Sequence, residues 1–98
     1  MSDKMYVQTA CLTFHIPYAS SLKDKRQVAR SIIDKTRHKF NASVAEVNDH
    51  DSHQRLVVGI SLVSSTSTHA QKCMDEIMRF MEENAKGADL VEVEIWQD

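Results

Sequence analysis

The sequence predicts an α+β chain of order βαββαβ, with a four-stranded antiparallel sheet and both helices on one sheet face. Three observations lead there. Four segments alternate apolar and polar residues with a period of two. Two longer segments carry apolar residues at helical spacing. Each of those helical segments falls between two of the strand-like ones. At 98 residues the chain suits a single domain spanning 1–98, with one modest core.

From Met5 to Ile16, Ala10, Leu12, Phe14 and Ile16 share one face, while Val7, Thr9, Cys11, Thr13 and His15 share the other. Pro17 ends this strand because it has no amide hydrogen to give a ladder. Ser20 and Ser21 offer N-caps, and Asp24 sits where its charge favours a helix start. Leu22, Val28, Ala29, Ile32, Ile33 and Phe40 then mark a helix from Leu22 to Lys39. Lys25 falls inside that stripe and is expected to snorkel, its stem on the core edge and its ammonium in water. Asn41 is the expected stop, as a residue that tolerates the left-handed conformation.

A short strand follows from Ala42 to Val47, then a polar turn from Asn48 to His53. Gln54 to Val63 is the clearest strand, with Leu56, Val58, Ile60 and Leu62 facing one way and Val57, Gly59 and Ser61 the other. Ala70, Cys73, Met74, Ile77, Met78, Phe80 and Met81 make the apolar face of a second helix, from about Thr68 to Ala85, with Gly87 as its C-cap. Leu90 to Trp96 is the last strand, Val91, Val93 and Ile95 alternating with Glu92, Glu94 and Trp96. Two interleaved strand–helix–strand units of this kind form the ferredoxin-like sandwich, which leaves one sheet face open.

Composition narrows the class further. Hydrophobic residues make 42% and charged residues 27%, ordinary for a globular protein. No apolar run approaches the ~20 residues of a membrane-spanning helix, and Met1-Ser2-Asp3-Lys4 lacks the basic-then-apolar order of a signal peptide. Cys11 and Cys73 stand alone, without a CxxC pattern, so a reduced, cytoplasmic setting is expected. Net charge is −2, but it is unevenly spread. Leu22 to Phe40 holds seven bases and two acids, net +5, while the rest holds five bases and twelve acids, net −7. A chain polarised this way can present a basic face while its remainder repels polyanions.

The segments His15-Ile16-Pro17, Ser21-Leu22-Lys23-Asp24-Lys25-Arg26, Asn41-Ala42-Ser43-Val44-Ala45-Glu46-Val47 and Gln54-Arg55 stand in the order found in one family. Through them the chain resembles, over nearly its whole length, the small bacterial proteins of unknown function called DUF503, or YlxP-like. The resemblance implies a ferredoxin-like fold. It also implies association with RNA or the ribosome, since genes of this family often neighbour those of translation initiation and ribosome maturation factors. It carries no catalytic residues. One departure is His53, where family members commonly have a Trp before the Gln-Arg pair. The loop is expected to be looser for it, or to lack a stacking contact.

The strongest candidate site is the row Lys23, Arg26, Arg30 and Arg37, spaced by three, four and seven residues. In an unbroken α-helix these lie within roughly 60° of arc. A row of cations suits phosphate oxygens, and the planar guanidinium fork binds them in pairs. Asp34 is expected to pair with Arg30 at i,i+4. The expected partner is ribosomal RNA or a ribosomal subunit, bound without a base-stacking platform, because the open faces of the first and third strands carry no aromatic residue.

The alternative is a homodimer or small-ligand module that uses the open sheet face, with Thr9, Cys11, Val57 and Ser61 at the contact. No membrane partner, cofactor or metal is expected. The run Asp49-His50-Asp51-Ser52-His53 reads as a polar loop rather than a metal site. No enzymatic activity is expected either, since no Walker loop, GxGxxG, nucleophile elbow or HExxH occurs. Cys73 reads as core, and Cys11 lies roughly 13 Å from His15 along its strand, too far for a Cys–His pair.

Overall fold

The computed structural model describes residues 4–97, the side chain of Gln97 excepted. Met1, Ser2 and Asp3, where no leader pattern was read, lie outside the described residues. The elements run β1 (Tyr6–His15), α1 (Leu22–Ala29), a π-helical turn (Arg30–Asp34), α2 (Lys35–Lys39), β2 (Ser43–Asn48), β3 (Arg55–Ser64), α3 (Ser67–Glu83) and β4 (Asp89–Gln97). The strands form one antiparallel sheet in the order β2-β3-β1-β4, the predicted sandwich. No helix among the described residues is long and apolar enough to cross a membrane.

Alternation sets the core. Ala10, Leu12 and Phe14 of β1 and Leu56, Val58, Ile60 and Leu62 of β3 point under the helices, and all are buried. Val28, Ile32 and Ile33 close over them from one helical rod, and Ala70, Met74, Ile77 and Met81 from the other. Fully burying side chains of this kind contributes about 1.5–3 kcal/mol each.

The first helix starts at the Ser21 cap that the sequence predicts, and the second starts one residue before the expected Thr68, capped by Thr66. Ser21 accepts a hydrogen bond from the Asp24 amide, and Thr66 from that of His69.

The first helix is not the uninterrupted α-helix that its spacing suggested. Its middle widens into the π turn, whose residues Ser31, Ile32 and Ile33 are all buried. Three consecutive positions span about 200° of an α-helix. A wider turn brings them into a narrower arc, so all three reach the core. The Ser31 hydroxyl donates to the Asn84 carbonyl at the end of α3. The rod then stops without Asn41 entering the left-handed region. Phe40 turns extended instead, with φ −119° and ψ 149°, and rests edge-on against Phe80. At the other end α3 finishes at Glu83, and the left-handed residues are Lys86 and Gly87, in the turn beyond it.

Candidate functional site

Lys25 does not snorkel. Its side chain is completely buried, and its ammonium donates to the carbonyls of Asp49 and Ser52, both at 2.7 Å. Glu46 Oε2 completes its surroundings at 2.8 Å. The expectation failed because the β2–β3 loop folds over this end of α1 and supplies the oxygens that water would have. A buried ammonium must find such partners. Those same bonds anchor the loop that carries His53. Gln54 adds a bond from its Nε2 to the Ala19 carbonyl, at 3.1 Å.

Glu46 is shared. Its Oε1 accepts from Arg26 Nη2 at 2.6 Å, while Oε2 faces Lys25. Burial pushes its carboxyl pKa up, but the Lys25 ammonium and the Arg26 guanidinium outweigh burial and hold it below the ordinary carboxylate range. Arg26, expected as a free cation, is thus committed to the fold on one side of its fork. It remains 43% exposed on the other.

Arg37 is also anchored. Its Nε donates to the Val44 carbonyl on β2 at 2.8 Å, and its Nη1 lies 4.0 Å from Asp34. The expected Arg30–Asp34 pair is therefore replaced by Arg37–Asp34. The π turn changes the phase between residues 30 and 37, so α2 presents Arg37 to β2 rather than along the predicted line. Arg30 is exposed.

Arg26, Arg30 and Arg37 nonetheless surround one groove of about 240 Å³ between the first helical rod and β2, with Ile33 in its wall and Glu46 and Asp34 at its margins. Lys23 is exposed but does not line it. Arg55 does not extend the patch, because it pairs with Asp49 at 2.7 Å and stands 3.8 Å from Glu92.

The open sheet face differs from its sequence reading in two ways. Val57 is only 4% exposed, so it offers no surface to a partner. Trp96 of β4 lies opposite Thr9 and is 52% exposed. With Thr9, Cys11, Ser61 and Val47 it borders a shallow depression of about 400 Å³. Sequence reasoning found no aromatic on β1 and β3 and overlooked β4. The alternation already noted, with Trp96 in phase with Glu92 and Glu94, was the signal. The pair His69 and Cys73, one turn apart on α3 with Sγ 3.4 Å from Nε2, was likewise missed. Its i,i+4 spacing was legible. Among the described residues, no three His, Cys, Asp or Glu side chains converge as a metal site would require.

Comparison with known proteins identifies the chain's family. The family model described as "Protein of unknown function (DUF503)" matches residues 7–95. The uncharacterized protein YlxP of Bacillus subtilis is 31% identical over 77 residues, which cover 79% of this chain and 80% of that one. Among solved structures, a dinuclear metal-binding peptidase of the M20 family from Bacillus subtilis aligns with a TM-score of 0.60 at 15% identity, over 95% of this chain and 25% of that one. A de novo designed protein with a ferredoxin fold aligns with a TM-score of 0.51, also at 15% identity, over 95% and 82%. Likeness at such low identity shows the fold alone.

Proposed function

The chain belongs to the DUF503 family, and from that premise we propose that it is a non-enzymatic protein that contacts ribosomal RNA through the arginine-lined groove beside β2. The observation that carries this reading is the convergence of Arg26, Arg30 and Arg37 on one groove. Anchoring does not consume these cations. A guanidinium has five N–H donors in a fixed fork. Arg26 gives one to Glu46, and Arg37 gives its Nε to Val44. Held in place, both lose less side-chain freedom when a phosphate arrives. Glu46 faces two cations at once, so the groove keeps a positive excess. The π turn that bears Arg30 is of a kind found often at functional sites. Ribosomal RNA as the polyanion follows the association that the family resemblance implies.

The test is retention of purified ribosomal RNA across a salt series. Two to four phosphate contacts give an affinity that falls with log salt at a slope of about −2 to −4. Lys23→Glu with Arg30→Glu changes exposed positions outside the Lys25–Glu46 lock, so the fold survives while retention falls at least tenfold. Salt-insensitive binding, or binding untouched by the double change, overturns the reading.

A second reading, a homodimer, is favoured by a different observation. Val91, Val93 and Ile95 of the edge strand β4 are 43–55% exposed, on the face opposite Trp96, a larger apolar surface than Thr9, Cys11 and Ser61 offer. A second copy would pair along this edge. Sedimentation tests it: a dimer broken by Ile95→Lys supports the reading, and a monomer at high concentration removes it.

A further inference from the structure

We propose that Cys73 is a modification site for soft electrophiles and small disulfides, with His69 accepting the proton of its thiol. The two side chains meet on consecutive turns of α3, Sγ 3.4 Å from Nε2. They border a cavity of about 160 Å³ whose apolar wall includes Phe40, Leu62 and Ile77, and Asn41 lies at its rim. Cys73 is partly accessible and His69 exposed, so reagent reaches the sulfur from solvent.

The chemistry follows from the pairing. A thiolate, not a thiol, is the nucleophile, and a neutral imidazole in contact with the thiol is the base that generates it. With a small disulfide, the S–H proton passes to His69 and the thiolate attacks one sulfur. The Cys73–S bond forms as the reagent's S–S bond breaks. The displaced thiolate takes the proton back from the imidazolium and leaves as free thiol. With iodoacetamide, an S–C bond forms, the C–I bond breaks, iodide departs and the proton stays on the imidazole or passes to water. The cavity gives the added group an apolar wall to lie against.

The second cysteine serves as an internal control. Cys11 is also free and also partly accessible. Its ladder partner on β4 is Glu94. Burial, and then the charges of Glu94 and Glu92, push its thiol pKa up. One cysteine faces a base and the other faces anions.

The experiment is alkylation of the folded protein by iodoacetamide between pH 6 and 9, each cysteine followed by peptide mass spectrometry. Cys73 is expected to react about tenfold faster than Cys11 at pH 7, and to form a mixed disulfide with cystamine where Cys11 does not. His69→Ala slows Cys73 about fivefold at pH 7, leaving Cys11 unchanged. His69 is exposed, and only its backbone amide serves the helix cap, so the variant folds. His69→Gln repeats the test with a polar side chain that cannot act as the base. Equal rates at the two cysteines, or a Cys73 rate indifferent to both His69 variants, overturns the proposal. Neither result bears on the arginine groove, which lies on the other helical rod.

Discussion

Along the β2 edge the sheet is finished with charge. Lys25 and Arg26 share Glu46, and Arg37 holds the Val44 carbonyl. Along the β4 edge, Val91, Val93 and Ile95 stand about half exposed, because α3 packs on β1 and β3 and the first rod on β3 and β2. Both edges face the same hazard, a row of ladder groups open to another chain. On the β2 edge Arg37 takes one ladder carbonyl, that of Val44, and Glu46 is tied to Lys25 and Arg26. The β4 edge has only a bulge, at the register shift between Thr13 and Phe14, and the charges of Glu92 and Glu94. Charge here is structural on one side of the molecule and merely discouraging on the other, so equal surgery on the two edges should have unequal effects.

The largest effect is expected at Lys25. Lys25→Met leaves the Asp49 and Ser52 carbonyls without their donor and Glu46 with Arg26 alone. Breaking a buried charge pair costs about 3–5 kcal/mol, read as a fall in the urea midpoint. A loss below about 1 kcal/mol would make the β2-edge charges ornamental and erase the contrast between the edges.

Acid probes the same lock without mutation. Glu46 is held below the ordinary carboxylate range in the fold. Its contribution is therefore fully present above the unfolded value of about 4.3 and is lost as pH falls through the lower folded value. Asp24 moves in the same direction, chiefly through the hydrogen bond from the Ser20 amide. Urea midpoints between pH 7 and pH 3 should fall, and fall less steeply in Lys25→Met, where half of the cause at Glu46 is gone. Parallel curves would show that the lock does not govern the acid limb.

A smaller effect is expected where β2 bulges. Val47 lies over Gly59, and a Cβ built on Gly59 would stand 2.7 Å from Val47 Cγ1. Gly59→Ala is expected to cost about 1–2 kcal/mol by overpacking. Because Val47 is 50% exposed, Val47→Ala should restore most of the loss in the double variant. No recovery would place the strain in the backbone of β3 rather than in this contact.

How far the sequence showed these differences depends on what fixed them. Period-two and helical spacing are local, and they located all four strands, both helical rods and the Ser21 cap, while the stops expected at Asn41 and Gly87 fell elsewhere. The fate of Lys25 was not local. Its carbonyl partners lie 24 and 27 residues away in a loop whose path no periodicity encodes, and Glu46 lies on the strand before it. The basic row was legible as composition, yet its phase was not. The π turn answers to three consecutive residues that must all be buried, a tertiary demand. Trp96 and the His69–Cys73 pair were written in simple spacings, but neither has meaning until the sheet register and the neighbouring cavity are known.

The smallest effect is expected on the bare edge. Val93 is 43% exposed on a strand with no helix packed closely over it. Val93→Thr keeps the β-branched shape and removes mainly apolar surface, so an isolated chain should change by no more than about 0.5 kcal/mol. Mass action makes the measurement discriminating. If β4 is covered by a second copy in solution, the thermal midpoint of the unmodified chain rises with protein concentration, and Val93→Thr removes that dependence. A midpoint independent of concentration, with a change inside 0.5 kcal/mol, leaves Glu92, Glu94 and the bulge as sufficient protection. A concentration-dependent midpoint would mean that the β4 edge is closed by a second copy, where the β2 edge relies on the chain's own cations.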